Sequence, residues 1–259
     1  MYAVLFYQVI DLAPLFSVVT VVFNDAENLN KTIESVSSQT FNNFEYLVID
    51  GASTDHTLSV IKENKEKVNI WLSEKDDGIY DAMNKGVTLA TGQWIIFMNA
   101  GDVFFDSNTL NNASKFVDPD FDFVYGNNRV FYPGSQTKMD RKAGDVSKLW
   151  RGSQFCHQSV FVKSEYHKKN LYNIKNDISA DFEFFYTSYM AGRNFKKVDA
   201  LVSIISAGGV SDINRVRSIV GWWRVVDKNI LINIYYASII FRETLKKIVK
   251  LFMPKPLRR

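Results

Sequence analysis

Four runs rich in Val, Ile, Phe and Trp, each of strand length and each closing on a polar turn, punctuate the chain up to residue 102. They are Ser17–Phe23, Tyr46–Ile49, Ile70–Leu72 and Trp94–Met98. Between them, apolar residues recur at helical spacing: Leu29, Ile33 and Val36, then His56–Lys67, then Ile79–Ala90. The polar pair Asn24 and Asp25 can cap the first of these helices. Strands alternating with helices predict a parallel sheet covered on both faces. In such sheets ligands sit beyond the carboxyl ends of the strands. The positions to search are therefore Asn24, Asp50, Asp76-Asp77-Gly78 and Asn99-Ala100-Gly101-Asp102.

Composition narrows the rest. A chain of 259 residues, 46% hydrophobic and 23% charged, builds a real core, which excludes disordered and collagen-like readings. One cysteine, Cys156, forms no internal disulfide and reads as a packed core thiol. A net charge of +3 gives no footprint for nucleic acid. Residues 1–16 are apolar but hold Asp11 and Pro14 and lack a basic start, so they fit neither a signal peptide nor a membrane span and read as a lead-in. After Asp102 the pieces are shorter: strands at Phe123–Tyr125, Arg129–Tyr132 and Phe155–Val162, a helix over Ala180–Ala191 and a strand over Phe195–Ile205. No repeat or linker divides residues 17–212, which form one domain with a nucleotide-handling half (17–102) and a more variable half (103–212).

Three constellations carry chemistry. Asp50 closes its strand and is followed by Gly51-Ala52-Ser53-Thr54-Asp55. A carboxylate fixed there either accepts hydrogen bonds from a nucleobase edge or caps the next helix. Asp76-Asp77-Gly78 opens a helix that contains Asn84-Lys85-Gly86. Acidic residues suit a helix N-terminus, but a helix-weakening glycine there asks for close approach to a ligand or to a strand. Asp102 follows the most apolar strand and is suited to Mg²⁺ or Mn²⁺, whose oxygen ligands are commonly shared between one or two carboxylates and substrate phosphates.

The stretch from Phe16 to Asp102, with SVVTVVFNDAENLNKTIESVSSQTFNNFEYLVIDGASTDHT and EKDDGIYDAMNKGVTLATGQWIIFMNAGD, resembles the family 2 glycosyltransferases of the GT-A fold. Sparser signatures follow: Cys156-His157-Gln158, Ala180-Asp181-Phe182-Glu183-Phe184 and Gly208-Gly209-Val210-Ser211. The resemblance implies an α/β fold with a central, mostly parallel sheet flanked by helices. It points toward enzymes of bacterial capsule, exopolysaccharide or O-antigen synthesis. Carried over by position, it gives Asp50 a nucleobase contact and puts Asp77 in a second nucleotide-contacting element. Asn24, Asn84, Lys85, Asn99, Gly101, His157 and Gln158 join the donor site. Asp102 becomes the metal carboxylate of a DXD-like motif in which Asn99 and Gly101 stand where carboxylates are frequent. Asp181 becomes the general base of an inverting transfer from a nucleotide-sugar donor, a UDP-sugar foremost, to a glycan or lipid-linked acceptor. Taken alone, Asp181 would cap its helix and His157 would be a core histidine.

The end of the chain is basic. Arg242 to Arg259 carries seven Lys and Arg against Glu243, a net +6 that leaves −3 for the preceding residues. The uncharged run between Lys228 and Arg242 is 13 residues, too short to span a bilayer. Residues 213–259 therefore read as an amphipathic helical tail on an anionic membrane surface, or as a helix packed on the domain with a solvated basic face. The first option places the protein in the cytoplasm, peripheral on the inner face of the cell membrane. A rival reading is a non-catalytic nucleotide-sugar-binding subunit of the same fold. A dehydrogenase is disfavoured because Val22-Phe23-Asn24-Asp25 stands where a G-x-G-x-x-G turn would be.

Overall fold

All seven residues of β1 (Phe16–Val22) are buried. A strand covered on both faces belongs in the middle of a sheet and needs no polar alternation. In the computed structural model, which describes residues 13–209 and 213–252 with side chains to Val249, β1 takes a parallel partner on each side. These are β2 (Phe44–Asp50) and β4 (Trp94–Phe97), and β2 pairs in parallel with β3 (Ile70–Ser73). The crossovers are α1 (Ala26–Ser37), α2 (Thr57–Glu63) and α3 (Ile79–Leu89). Sequence reading and structure agree here to within a few residues. The second helix stops at Glu63 rather than Lys67 because Asn64 folds its amide back onto the Val60 carbonyl. Asp25 offers α1 no side-chain cap and instead accepts from Asn28 Nδ2.

Beyond β4 the sheet becomes mixed. The later strands are β5 (Val103–Phe104), β6 (Phe123–Tyr132), β7 (Thr137–Arg141), β8 (Val160–Lys163) and β9 (Phe195–Ser206), giving the order β3-β2-β1-β4-β8-β6-β9-β5 with β7 hairpinned on β6. β4–β8, β8–β6 and β5–β9 are antiparallel, and β6–β9 is parallel. The two short strands expected at 123–125 and 129–132 are one strand. Gly126-Asn127-Asn128 looks like a break in sequence, yet it stays in the sheet through a bulge against β9. Asn127 is satisfied there, donating to Asp199 and accepting from the Ala143 amide. The strand expected over Phe155–Val162 begins only at Val160, after a 3-10 turn over His157–Ser159.

The remaining helices are α4 (Thr109–Ala113), α5 (Ser164–Lys169), α6 (Ala180–Met190), α7 (Arg215–Val225) and α8 (Ile230–Phe252). Alternate residues of the strands feed two cores. Val19, Leu47, Ile49 and Phe97 face α3, α6, α7 and α8, whereas Val18, Tyr46, Val48 and Ile96 face α1 and α2. Of the two readings of Gly86, the strand is the correct one. A Cβ there would lie 2.5 Å from Val19 Cγ1, so α3 rests directly on β1. Residues 1–12, 210–212 and 253–259 lie outside the described residues, so most of the lead-in, the second half of Gly208–Ser211 and the last basic residues have no structural account, while Phe16, expected to end the lead-in, opens β1.

Candidate active site

The carboxyl ends of β1, β2, β3 and β4 open on one edge, as a parallel sheet requires. At the β1 end Asn24 takes the left-handed backbone, φ 51°, and ties two loops together. Its backbone amide donates to Ser53 Oγ at 2.7 Å and its Oδ1 accepts from Thr54 N at 2.7 Å. At the β2 end Asp50 is fully buried, accepting from Ser53 Oγ at 2.5 Å and Ser73 Oγ at 2.6 Å. It is Asp55, not Asp50, that serves the helix starts, accepting from Thr57 N at 2.9 Å and Ala26 N at 3.3 Å. The Thr57 side chain, and after it the Thr57 and Ala26 amides, hold the Asp55 carboxyl below its ordinary pKa. Asp76 Oδ2 sits against Gly51, in the space a Cβ there would take.

Asp76, not Asp77, thus packs at the mouth of β2. Asp77 is exposed, and its amide donates to Asp81 Oδ2 at 3.1 Å. Asn84 points elsewhere: it exchanges two hydrogen bonds with the backbone of Tyr172, at 2.9 and 2.8 Å. These bonds brace α3 against the 172 loop. Lys85 Nζ is bound to the Lys75 carbonyl at 2.7 Å and to Glu74 at 2.9 Å, with Asp81 at 3.4 Å. Burial works against its charge, but those two carboxylates outweigh it and raise its pKa.

The loop after β4 is fixed from α1. Thr32 Oγ1 donates to the Asp102 carbonyl at 2.8 Å and accepts from Gly101 N at 3.0 Å, and Gly101 turns the chain at φ +94°. The Asp102 side chain is 9% exposed and accepts from Gln158 Nε2 at 2.7 Å. Burial pushes its pKa up to about 6, opposed by Gln158, the nearby His157 and a backbone bond from Ser206. Asn99 Oδ1 is buried without a hydrogen-bond partner among the described residues. No three His, Cys, Asp or Glu side chains among the described residues converge there. A carboxylate and an unpaired buried carbonyl oxygen nonetheless fit a hard cation that takes its other ligands from a diphosphate and water.

Next to Gln158, His157 bridges to the second carboxylate. Its Nδ1 lies 3.4 Å from Asp181 Oδ2 and its Nε2 lies 3.2 Å from Asn99 Nδ2. With Nε2 accepting from that amide, the ring proton sits on Nδ1 and points at Asp181. Tyr80, 8% exposed at the start of α3, donates its hydroxyl to Asp181 Oδ1 at 2.8 Å. Asp181 thus reaches across to α3 and the 3-10 turn, which a residue that merely capped its own helix would not do. Burial favours its neutral form, but His157, Tyr80 and the Phe182 amide together hold its pKa below the ordinary value. Its side chain remains 24% exposed, so the carboxylate is reachable. Cys156, half-buried rather than packed in the core, donates its thiol to Gln158 Oε1 at 2.7 Å, and desolvation raises its pKa, which leaves it a poor nucleophile.

The structure therefore gathers Asn99, Asp102, His157, Gln158 and Asp181 into one network. Asn24 and Asp50 sit at the neighbouring strand ends. Sequence reading passes over Tyr80, although it lies inside Asp77-Gly78-Ile79-Tyr80-Asp81, a polar first turn in which a buried phenol needs a partner. It also passes over Phe23, whose ring is 63% exposed at the end of β1 beside Gly51.

Comparison with known proteins agrees with this architecture. The model of "Glycosyl transferase family 2" matches residues 17–201. A PGL/p-HBAD biosynthesis glycosyltransferase of Mycobacterium bovis is 33% identical over 179 residues, covering 66% of this chain and 68% of its own. An uncharacterized glycosyltransferase of Haemophilus influenzae is 29% identical over 180 residues, covering 66% and 70%. Among solved structures, S. aureus TarS 1–349 in complex with UDP superposes with TM-score 0.63 and 16% identity over 93% of this chain and 76% of that one. The longer TarS chain also aligns at 0.63, with 17% identity, but this chain spans only 39% of it. The mannosyltransferase PcManGT from Pyrobaculum calidifontis, with GDP-Man and Mn²⁺, matches at 0.63 and 18% identity over 83% and 64%. With its mixed α/β sheet of GT-A type and the family match across most of its length, the chain belongs to glycosyltransferase family 2 and is a glycosyltransferase.

Proposed function

We propose that this glycosyltransferase moves a sugar, with inversion, from a nucleotide-diphosphate sugar to a hydroxyl of a glycan or lipid-linked acceptor in bacterial surface polysaccharide or glycolipid synthesis. The observation that carries this reading is Asp181. It is ionised below the ordinary carboxylate range, partly exposed, and held at both oxygens by Tyr80 and His157. A general base must be deprotonated at working pH and fixed in direction, and both conditions are met. Asp181 takes the acceptor proton as the hydroxyl attacks the anomeric carbon opposite the nucleotide. A single displacement needs no second carboxylate to form a covalent intermediate.

His157 keeps its Nδ1 proton on Asp181 and steers which oxygen lone pair remains for the acceptor. Gln158 and the Ser206 backbone fix the Asp102 carboxylate at the donor end of the site. A divalent ion bound by Asp102, with Asn99 Oδ1 beside it, would neutralise the departing diphosphate as a Lewis acid. At the β1 and β2 ends, Phe23 offers a face for a nucleobase to stack on, and Asp50 fixes the loop beneath it. A UDP-sugar is the favoured donor, since TarS is solved with UDP and with UDP-GlcNAc. A lipid-linked acceptor would bring the reaction to the inner face of the cell membrane.

A thermal-shift panel of UDP-, GDP- and dTDP-sugars with Mn²⁺, repeated with EDTA, tests the donor class. A ligand at a hundred times its Kd stabilises the fold by about 2.7 kcal/mol. A UDP-sugar is expected to shift the melting temperature, with the shift reduced by EDTA. A shift with GDP-sugars alone reassigns the nucleotide. Binding without transfer to any hydroxyl favours the non-catalytic subunit, which the missing carboxylates at Asn99 and Gly101 also suit.

A further inference from the structure

The family match ends at residue 201, yet two helices follow it, and α8 has an unusual surface. One side of α8 is anchored to the domain. Tyr236 is fully buried and Ile232 is 9% exposed, Tyr235 packs on Trp150 at 5.4 Å between ring centres, and Trp223 Nε1 donates to Asn233 Oδ1 at 2.9 Å. On the other side Ile230, Ile234, Phe241, Leu245, Ile248 and Val249 are between 45% and 72% exposed. At 3.6 residues per turn these six fall within an arc of about 100°, opposite Ile232 and Tyr236. A helix already buried on one side has no need of a second apolar face for its own fold. No helix among the described residues is long and apolar enough to cross a membrane.

We propose that this face of α8 lies in the interface of an anionic bilayer, parallel to the membrane plane. Charge selects this occupant. Arg242 and Lys246 flank the stripe, 67% and 59% exposed, sharing a single carboxylate, Glu243, and residues 242–259 carry a net +6. Anionic lipid supplies the counter-charge, and each Lys or Arg near such a surface strengthens binding about fivefold. A second copy of the chain does not supply it. Parallel pairing of two stripes sets +6 against +6, and antiparallel pairing sets the cations against the uncharged stretch before Arg242.

The anchored side also gives the membrane a fixed orientation toward the chemistry. α8 packs on α7, and Gly221 of α7 touches α6 so closely that a Cβ there would strike Ser179 Oγ, the residue preceding the helix of Asp181. This inference deepens only the membrane-surface part of the proposed function, and its test uses neither donor nor acceptor.

The test is co-sedimentation of the full chain with phosphatidylcholine vesicles, with and without phosphatidylglycerol, at low and high salt. The wild-type protein is expected to pellet with the anionic vesicles and to be released by salt. The double variant Phe241→Glu with Leu245→Glu should lose at least tenfold in partitioning, with its circular dichroism and melting temperature unchanged because both side chains are exposed. Arg242→Gln with Lys246→Gln, the two exposed cations flanking the stripe, should lose about twenty-five-fold on anionic vesicles only. Unchanged partitioning of the Phe241/Leu245 variant overturns the proposal. So does a wild-type chain that stays in the supernatant, and if it forms a concentration-dependent dimer the face belongs to a second copy.

Discussion

The Tyr80 hydroxyl donates to Asp181 Oδ1 at 2.8 Å and ties the first turn of α3 to the first turn of α6 across 101 residues of sequence. The bond favours the charged carboxylate, so removing it raises the Asp181 pKa. Tyr80→Phe keeps the ring and loses the donor. A hydrogen bond to a charged group contributes roughly 1.5–3 kcal/mol, so kcat should fall about ten- to a hundredfold. The acid limb of the pH–rate profile should move upward at the same time. Equal loss at every pH would mean that Tyr80 serves packing alone.

Asp102 reports on its own burial through pH. Its folded pKa, about 6, lies above its ordinary value of 3.8, so between those limits the folded chain binds more protons than the unfolded one and stability falls as pH rises. Asp102→Asn keeps an oxygen for Gln158 and cannot ionise. In EDTA the variant should gain on wild type as pH rises from 4 to 7, by about 3 kcal/mol at most, and match it near pH 4. Melting curves across that range check this, and a difference independent of pH would contradict it.

His167 shows the opposite sign. It is fully buried, stacked on Phe184 at 4.5 Å, and neither ring nitrogen has a hydrogen-bond partner among the described residues. Burial lowers its pKa to about 4, with the backbone at His167 and Asn170 opposing in part. The unfolded chain therefore takes up a proton below pH 6.5 that the folded chain refuses, and stability falls with falling pH. His167→Phe keeps an aromatic ring among Phe97, Tyr172 and Phe184. Its melting temperature should exceed wild type at pH 7, and the margin should widen as pH drops toward 4. A variant less stable at every pH would show that the imidazole has an unrecognised partner.

Gly86→Ala sets a methyl 2.5 Å from Val19 Cγ1 and should cost about 1–3 kcal/mol. Val19→Ala in the same chain opens that space, so the double variant should lose less than the sum of the two single ones. Additive losses in a double-mutant cycle would remove the contact as the reason for the glycine.

Much of this fold is legible in the sequence, for identifiable reasons. The strands of the first half are buried on both faces, so their apolar runs stand out, and their polar ends mark the site edge. Asp102 and Asp181 are visible as carboxylates at element boundaries, but their pairing with Gln158 and His157 depends on β8 running antiparallel beside β4, which no local pattern encodes. The brace that Asn84 makes to the Tyr172 backbone is not legible either, because its partner lies 88 residues away. Tyr80 escapes notice because its partner lies 101 residues away. The 123–132 strand looks split because its buried asparagines are satisfied only by tertiary contacts.

The account stands on Asp181 as the base, and Asp181→Asn tests it most directly. The amide fills the same space, so the donor should bind with unchanged Kd in calorimetry while transfer to acceptor falls by at least about a hundredfold, the lower range for losing a positioned base. Transfer at the wild-type rate, with donor binding intact, would contradict it.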